Sequence, residues 1–481
     1  MRCLALAQGS KDAGGRVSFV TACTNERLLK RLADEDFEIK RLKHSYPDSE
    51  DWAATQEVLS RSSGSWLVLD GYHFDSEYQK TIKSFGTPLL MIDDNAILPH
   101  YFADIVLNHN LHAANLRYSR ERNTHVLSGP SYALLRREFQ KWLDWERPTP
   151  ERASKILITM GGADTENLTE KILHLLAKAK IGEIEVIVVI GPVYRYRNRI
   201  RKLLPDLPFR ASVRTDVTDM TTLMAWADLA ITGAGSTCWE ALFMELPCIL
   251  LILADNQREI AKSLDQDEFA IALDVIERNW EENLLHALER LRSDSLLRDN
   301  MSRRGRQAVD GFGVVRVLNY LNPPSLRLRP VSPDDCSLLW QWANDAQARA
   351  VSFHPNPIPW TSHTSWFESK LRDPYCLFFV GLNEAGSPIG QARFEVSANE
   401  AVISVSVAPE SRRKGVGRDL IFLSSQKALR ELGVSTIHAY VKVENQPSHQ
   451  AFLKAGFVEK GTILVSGQKA WDLTLDRKYC T

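Results

Sequence analysis

The chain has 481 residues, too many for one ordinary core, and its 59 basic and 60 acidic residues give a formal net charge of -1. This balance argues against a nucleic-acid partner, because such a protein needs clustered Lys and Arg to displace the counterions of phosphates. No apolar run approaches the roughly 20 residues that cross a bilayer, and no signal peptide is visible. Seven cysteines without a C-x-x-C pair argue against a disulfide framework and a zinc site. We therefore expect a cytoplasmic protein with reduced thiols and no zinc site.

Short apolar runs alternate with helical patterns over the first two-thirds of the chain. Continuous apolar runs are typical of parallel strands that are buried on both faces and joined by crossover helices. The runs are WLVLD (66–70), PLLMIDD (88–94), DIVLNH (104–109), KILITMGG (155–162), EVIVVIG (185–191), ADLAITGAG (227–235) and PCILLIL (247–253). Charged, Pro-containing stretches at 144–154 and 321–330 separate the parts. The sequence predicts an α/β fold with two Rossmann-like domains, over 1–147 and 152–321, followed by an α+β domain over 326–481.

The first strand of the second predicted domain ends in a glycine pair. In TMGGADTENLT (159–169), Gly161 and Gly162 lie directly before a predicted helix. Glycine lets a phosphate approach the backbone, and the N–H groups at a helix start attract anions. A plain strand-to-helix turn with an N-cap explains the pair equally well, so the sequence alone leaves both interpretations open.

Two later strands of the same domain end in further polar residues. Ser236 and Thr237 precede a helix that contains Glu240, and Asn256 and Gln257 follow the next strand. This pattern resembles the donor-binding half of sugar-nucleotide enzymes with the glycosyltransferase-B architecture. In that family the Glu commonly holds the ribose diol, a geometry that two carboxylate oxygens serve well. The resemblance implies that these residues and the glycine pair line a nucleotide-sugar site.

Five segments spread over residues 1 to about 320 narrow the resemblance. They are LDGYHFD (69–75), MIDDNAILPHYFADIVLN (91–108), SGPSYALLRREF (128–139), MGGAD (160–164) and VDGFGVVRV (309–317). Together they resemble the UDP-2,4-diacetamido-2,4,6-trideoxy-altropyranose hydrolases of pseudaminic acid biosynthesis. That family cleaves the bond between the anomeric carbon and UDP with inversion and without a metal.

The resemblance also implies roles for residues in the first domain. Tyr72 and Asn256 match the family's Tyr and Asn, which help to position the reacting groups. Asp70, Asp93 and Asp94 are expected to line the same cleft. For these three aspartates, burial as N-caps is the alternative interpretation.

The base of the hydrolase family is a His in a G-x-G-H turn, which lies just before a helix that starts much like MRCLALA. We therefore expect the first strand and this His to precede Met1, through a misplaced start or a truncated sequence. A degenerate domain that only binds substrate is the alternative. His73 is the alternative base, although an exposed loop histidine without a role explains it as well.

The last part of the chain carries an R-x-x-G-x-G turn in VISVSVAPESRRKGVGRDL (402–420). Its glycines permit close approach of a pyrophosphate, and the helix that follows points its N-terminus at the phosphates. With TIHAYVKVEN (436–445), this pattern resembles the GNAT superfamily of N-acetyltransferases from residue 326 to about 477. The resemblance implies acetyl-CoA as cosubstrate. The residues implied to bind it are Val407, Arg412, Arg413, Lys414, Gly415, Val416, Gly417, Arg418 and Asn445.

The stretch 337–371 resembles the acceptor side of GNAT members that acetylate amino sugars or protein N-termini. Trp342, Asn344, His363 and Trp366 are its signature positions. For the two tryptophans, core packing is the preferred interpretation.

One position departs from the acetyltransferase pattern. Phe452 stands where many members have the Tyr that protonates the leaving thiolate. Tyr440, Ser448 or water would then supply the proton. Glu395 is a candidate base that acts on the amine through a water.

The two resemblances support each other. In the pseudaminic acid pathway an acetyltransferase acts on the 4-amino group of a UDP-linked 4-amino-4,6-dideoxy sugar, and the hydrolase then removes UDP. The sequence therefore predicts a bacterial, cytoplasmic, bifunctional enzyme that takes small-molecule substrates and has no nucleic-acid or membrane partner. A glycosyltransferase fused to an acetyltransferase, and a UDP-sugar-binding module fused to an acetyltransferase, are the alternatives.

Overall fold

The computed structural model describes residues 1–61, 64–162, 164–179, 181–191, 193–215, 217–324 and 326–476. The chain divides into two compact units. The first unit contains Met1–Thr124 and Ser128–Val314, and the second contains His125–Leu127 and the chain from Val315 onward. Within the described residues, no helix is long and apolar enough to cross a membrane.

The first part of the first unit alternates short strands and helices. Its elements are α1 (Arg2–Asp12), β1 (Ser18–Thr21), α2 (Glu26–Asp34), β2 (Glu38–Arg41), α3 (Ser49–Ser60), β3 (Leu67–Asp70), α4 (Ser76–Ser84), β4 (Leu89–Ile92) and β5 (Ile105–Asn108). Strands β1 and β2 pair in parallel, and β4 pairs in parallel with both β3 and β5. The next strand, β6 (His125–Ser128), crosses the boundary between the two units. The carboxyl ends of β3, β4 and β5 therefore lie along one edge of their sheet.

The second part of the first unit is a parallel sheet in the order β12-β11-β10-β7-β8-β9. Its elements are β7 (Lys155–Thr159), α5 (Leu168–Ala179), β8 (Glu185–Ile190), α6 (Arg197–Leu203), β9 (Arg210–Thr215), α7 (Met220–Trp226), β10 (Leu229–Gly233), α8 (Thr237–Phe243), β11 (Cys248–Ile252), α9 (Arg258–Gln266), β12 (Ile271–Asp274), α10 (Trp280–Ser293) and α11 (Ser295–Ala308). Successive strand residues enter two different cores: Ile156 and Ile158 pack in one, and Leu157 packs in the other. Burial on both faces explains why these strands are continuous apolar runs.

The second unit is built on a mixed sheet in the order β13-β14-β15-β16-β17-β19-β18. Its elements are α12 (Gly313–Leu321), which begins at the boundary, then β13 (Arg327–Pro330), α13 (Cys336–Ala343), α14 (Ala346–Ala350), α15 (Trp360–Arg372), β14 (Cys376–Leu382), β15 (Pro388–Ser397), β16 (Glu400–Val407), α16 (Val416–Leu432), β17 (Thr436–Lys442), α17 (Gln446–Lys454), β18 (Val458–Val465) and β19 (Gln468–Asp476). Strands β16 and β17 pair in parallel only between residues 400–402 and 436–438. They separate beyond these residues, which opens a gap between their carboxyl ends.

Single turns of 3-10 helix occur in several connections of both units. They are Leu111–Asn115, Pro130–Tyr132, Arg137–Trp142, Leu204–Asp206, Asp255–Gln257, Pro333–Asp335 and Pro409–Ser411. The predicted fold class, parallel α/β sheets followed by an α+β sheet, is confirmed.

Candidate functional site

An arginine at the start of α1 joins two aspartates at the edge of the first sheet. Arg2 Nη2 lies 2.7 Å from Asp70 Oδ1, and Arg2 Nη1 lies 2.8 Å from Asp94 Oδ1. Burial alone would raise the pKa of both carboxyl groups, but the guanidinium of Arg2 lowers both below their ordinary values. The N-terminal ammonium also lowers the pKa of Asp70, so two positive groups, this ammonium and Arg2, face the two carboxylates.

Tyr72 and Asn256 belong to the same cluster. The Tyr72 hydroxyl donates a hydrogen bond to Asp94 Oδ2 at 2.8 Å, and the Asn256 side chain lies close enough to lower the pKa of Tyr72. Burial and the charge of Asp94 raise the pKa of Tyr72, so its hydroxyl keeps its proton at neutral pH. Because Asn256 follows β11, the cluster joins the carboxyl ends of both parallel sheets of the first unit. The structure thus brings together Asp70, Tyr72, Asp94 and Asn256, as the resemblance implies.

Besides Arg2, two residues of this cluster were not anticipated from the sequence. Asn110 Nδ2 donates to Asp94 Oδ1 at 3.0 Å. His109 is 4% exposed, and its ring meets the Trp239 ring edge to face with 5.7 Å between centroids. Burial and Arg2 lower the pKa of His109 to about 4, so its imidazole is neutral at pH 7. Both residues directly follow β5, and the rule that polar residues gather at the carboxyl ends of parallel strands could have found them.

Asp93 has a structural role instead. Its Oδ1 accepts hydrogen bonds from the backbone N–H groups of Asn95 and Ala96, at 2.8 and 2.6 Å. Its Oδ2 accepts one from the Tyr101 hydroxyl at 2.7 Å. Asp93 therefore closes a turn and does not cap a helix, so the N-cap interpretation is wrong for it in detail, whereas Asp70 and Asp94 face the cluster.

His73 lies outside this cluster. Its ring is exposed and packs on Phe74, with 4.1 Å between the ring centroids. Within the ranges that the structure describes, no hydrogen bond joins it to the cluster. The geometry favours the interpretation of His73 as a loop histidine.

The glycine pair after β7 forms a tight, capped turn. Gly161 has φ +79°, and a Cβ at Gly191 would lie 2.2 Å from the carbonyl oxygen of Gly162. The two carboxylate oxygens of Asp164 accept the first N–H groups of α5, at 2.8 and 3.0 Å. Because a carboxylate already occupies these donors, the geometry favours the plain N-capped turn. Phosphate binding by Gly161 and Gly162 stays a prediction.

Glu240 is held by a buried arginine. Its Oε1 accepts from Arg136 Nη2 at 2.7 Å, and Arg136 Nη1 also lies 2.8 Å from Glu138 Oε1. Burial raises the pKa of Glu240, and Arg136 offsets this only in part. One carboxylate oxygen of Glu240 is thus committed to Arg136, which leaves the other for a ligand such as a ribose diol.

The remaining predicted nucleotide-sugar residues lie around the same helix and the following strand. Ser236 provides no side-chain cap for α8. In the described part of the chain, Thr237 makes no side-chain hydrogen bond either, so both hydroxyls are available to a ligand. Gln257 Oε1 accepts from the backbone N–H of Leu253 at 3.0 Å, which fixes the loop after β11. Binding of the nucleotide sugar by these three residues stays a prediction.

A cavity of about 20 Å³ connects the two groups of charges. Its lining includes Arg2, His109, Arg136, Ser236 and Glu240. This volume suits a single water. Among the described residues, no group of three or more His, Cys, Asp and Glu side chains is placed to hold a metal ion.

The loop before α16 in the second unit has the shape that the R-x-x-G-x-G pattern predicts. Arg413 has φ +60° and Gly415 has φ +82°, and a Cβ at Gly415 would meet open space. A Cβ at Gly417 would lie 3.6 Å from Val407 Cγ2 at the end of β16, so a methyl group fits there in ordinary contact. The helix begins at Val416 without a side-chain cap. This loop therefore offers glycine backbone and a helix N-terminus to a pyrophosphate.

The basic residues of this loop differ in their partners. Arg412 Nη1 lies 2.6 Å from Asp345 Oδ1, and Arg418 Nη2 lies 2.5 Å from Asp419 Oδ1. Lys414 is exposed, as is its neighbour Arg413. Their positive charge is thus the part of the motif left for an anionic ligand.

The residues proposed around the thioester lie where β16 and β17 have separated. Asn445 caps α17, with its Oδ1 accepting from the backbone N–H of Ser448 at 3.3 Å. Phe452 is buried against Phe457, with 5.0 Å between ring centroids. Tyr440 lies on the separated part of β17, and burial raises its pKa. Tyr440 and Ser448 therefore stay candidates for the proton donor.

The carboxylate of Glu395, the candidate base, is held in ion pairs with two cations. It lies 2.6 Å from Lys370 Nζ and 2.8 Å from Arg393 Nη2. Burial alone would raise the pKa of Glu395, but these two cations lower it. On β15 it lies opposite Val402, where β16 still pairs with β17. Its role as a base stays a prediction, and this geometry does not favour it.

The acceptor-side signature positions mainly fix local structure. Trp342 is buried in a core, and Trp366 packs against that core, as expected for packing residues. His363 Nε2 lies 3.0 Å from the carbonyl oxygen of Cys336. Asn344 accepts from the backbone N–H of Ile358 at 2.7 Å and donates to its carbonyl at 3.1 Å.

Two families match separate parts of the chain. Residues 155–311 match the glycosyltransferase family 28 C-terminal domain. Residues 325–458 match the acetyltransferase (GNAT) domain.

Three curated proteins are similar over longer ranges. An uncharacterized protein of Methanocaldococcus jannaschii is 24% identical over 447 residues, which cover 90% of this chain and 88% of that protein. The spore coat polysaccharide biosynthesis protein SpsG of Bacillus subtilis is 27% identical over 257 residues, which cover 53% of this chain and 75% of that protein. The UDP-2,4-diacetamido-2,4,6-trideoxy-beta-L-altropyranose hydrolase of Campylobacter jejuni is 26% identical over 275 residues, which cover 54% of this chain and 96% of that protein.

Among solved structures, a spermidine N-acetyltransferase of Vibrio cholerae in complex with CoA and spermine is similar in fold. It is 22% identical, with a TM-score of 0.30, and the match covers 32% of this chain and 98% of that one.

Proposed function

Since this chain joins a glycosyltransferase family 28 C-terminal domain to a GNAT acetyltransferase domain, we propose that it is a bifunctional sugar-nucleotide enzyme. Its acetyltransferase part N-acetylates the 4-amino group of a UDP-4-amino-4,6-dideoxy sugar with acetyl-CoA. Its first unit then hydrolyses the resulting UDP-diacetamido sugar. The similarity to the Campylobacter jejuni hydrolase supports this choice of substrate class.

The observation that carries the hydrolase proposal is the contact of Tyr72 with both Asp94 and Asn256. In the proposed step a histidine base, as the resemblance implies, takes a proton from a water, the water oxygen attacks the anomeric carbon, and the bond between that carbon and the UDP oxygen breaks. Positive charge develops on the sugar in such a step. The carboxylates of Asp70 and Asp94 are already ionised and fixed by Arg2, so they stabilise this charge without reorganising.

In the proposed acetyl transfer, the sugar amine attacks the thioester carbonyl and the CoA thiolate leaves with a proton. The loop 412–418 would hold the pyrophosphate, and the gap between β16 and β17 would admit the thioester. Phe452 has no proton to give, so Tyr440, Ser448 or water supplies it. The domain limits 1–147, 152–321 and 326–481 belong to the same proposal.

The test measures the two steps separately on one protein. The full chain is incubated with acetyl-CoA and the UDP-4-amino sugar, and released CoA thiol and released UDP are each quantified. We expect Tyr72→Phe, which keeps the ring and removes only the hydroxyl, to lower UDP release and leave CoA release unchanged. Exposed Tyr375→Phe is the matched control and should change neither rate.

Three results would contradict the proposal. UDP release that requires an added acceptor sugar would indicate a glycosyltransferase. UDP binding without release of UDP or CoA would indicate a binding module. Equal loss of both products in Tyr72→Phe would show that Tyr72 acts on folding and not on hydrolysis.

A further inference from the structure

Residues 345–358, which we call the acceptor segment, are attached to the pyrophosphate loop at their start. Arg412 Nη1 lies 2.6 Å from Asp345 Oδ1 and donates to Gln347 Oε1 at 3.0 Å. Arg412 Nε donates to the carbonyl of Val407 at 3.2 Å. The guanidinium that the motif assigned to phosphate binding thus links the end of β16 to the acceptor segment.

The middle of the acceptor segment is attached to the opposite side of the gap. Gln468 Nε2, at the start of β19, donates to the carbonyl of Phe353 at 2.8 Å. Lys442 Nζ, at the end of β17, lies 6.0 Å from the centroid of the Phe353 ring. The segment therefore runs from the carboxyl end of β16 to the carboxyl end of β17, across the gap in which the thioester is proposed to lie.

Hydrogen bonds within the acceptor segment hold its shape. Arg349 Nη1 donates to the carbonyls of His354 and Asn356, at 2.8 and 3.4 Å. Asp345 caps α14 by accepting from the backbone N–H of Ala348 at 3.0 Å. A displacement of Asp345 is therefore transmitted along the segment and is not absorbed at its first residue.

We propose that Asp345 is a positioning residue for acetyl transfer, which through Arg412 couples binding of acetyl-CoA at the pyrophosphate loop to ordering of the acceptor segment. This inference rests on the proposed acetyltransferase activity. It assigns Arg412 a coupling role in addition to any contact with phosphate. The amine acceptor then meets a site that is complete only when the cosubstrate is bound.

The test uses Asp345→Asn in the full chain. Asn caps a helix as well as Asp does, so this change removes the ion pair with Arg412 and keeps the cap of α14. Glu368→Gln is the control, because it neutralises a carboxylate that pairs with Arg372 within the exposed part of α15. Hydrogen–deuterium exchange of peptides covering 345–358 and 412–418 is measured by mass spectrometry with and without acetyl-CoA.

In the unmodified chain and in Glu368→Gln, acetyl-CoA should slow exchange in both peptides. In Asp345→Asn it should slow exchange in 412–418 alone, and the KM for the UDP-4-amino sugar should rise about tenfold. The double variant Asp345→Asn with Arg412→Gln should raise this KM no further than the larger of the two single effects.

Two results would overturn the coupling. The first is that, in the unmodified chain, acetyl-CoA slows exchange in peptide 412–418 but not in peptide 345–358. The second is that acetyl-CoA slows exchange in both peptides of Asp345→Asn. Absence of protection in 412–418 of the unmodified chain would instead contradict acetyl-CoA binding itself. The failure of the inference is therefore distinguishable from failure of the proposed function.

Discussion

Replacing His109 by Gln should remove a pH-dependent loss of stability in the first unit. The folded protein lowers the pKa of His109 to about 4, whereas an unfolded histidine titrates near 6.5. Between pH 4 and pH 6.5 His109 is therefore protonated in the unfolded chain and neutral in the folded chain. Burial of His109 therefore costs no stability above pH 6.5, and the free energy of unfolding falls as the pH decreases from 6.5 toward 4.

The size of this effect follows from the two pKa values. At pH 5 the pH lies about 1.5 units below the pKa of the unfolded histidine. Each unit changes the free energy of unfolding by roughly 1.4 kcal/mol, so the folded protein loses about 2 kcal/mol of stability. Carboxyl groups also titrate in this range, but they do so in both proteins and cancel in the comparison. His109→Gln should therefore lose about 2 kcal/mol less stability between pH 7.5 and pH 5 than the unmodified chain.

The assay is urea unfolding read by pulsed hydrogen exchange in the peptide that covers β5 and residues 109–110. This local reading assigns the transition to the first unit. Exposed His73→Gln is the matched control and should lose as much stability as the unmodified chain. If His109→Gln also loses the same amount, His109 is charged in the folded protein and the burial argument is refuted.

Three further predictions concern the remaining contacts. Glu240→Ala should weaken UDP binding by roughly 1.5 to 3 kcal/mol, and because it removes one of the two carboxylates that pair with buried Arg136 it should also lower stability. Glu240→Gln, which keeps an acceptor, should cost less in both calorimetry and urea unfolding. Gly417→Leu should abolish acetyl-CoA binding in calorimetry while Gly417→Ala retains it, since a Cβ there makes only ordinary contacts, whereas a longer side chain would cover the backbone that the pyrophosphate approaches. A fragment that includes α12 should melt cooperatively by circular dichroism, and one that starts at Leu326 should be less stable, since buried Arg316 donates to carbonyls of the α17 region.

The parallel sheets were predictable from the sequence because burial on both faces leaves a continuous apolar run. Ile156, Leu157 and Ile158 show this directly, since neighbours in the run pack into different cores. The separation of β16 and β17 carries no such signal. It depends on which residues pair across the sheet, and no local pattern in the sequence shows that pairing.

The charged cluster was only partly predictable. Asp93 and Asp94 are adjacent in the sequence, yet one caps a turn and the other faces the cluster, and no local pattern distinguishes them. Arg2 was missed because its partners lie 68 and 92 residues away along the chain. The sequence motif assigned Arg412 to phosphate binding because the motif does not include Asp345. Asp345 lies far from Arg412 along the chain, at the start of α14.

The balance of charge in the Arg2 cluster also bears on how the proposed product leaves. UDP gains negative charge when its bond to the sugar breaks, and Arg2 and the N-terminal ammonium offset the charges of Asp70 and Asp94. Free UDP therefore meets no net charge at the place where the cleaved bond lay. Since salt acts by screening charges over about 10 Å at 0.1 M, the rate of UDP release should change little as ionic strength rises.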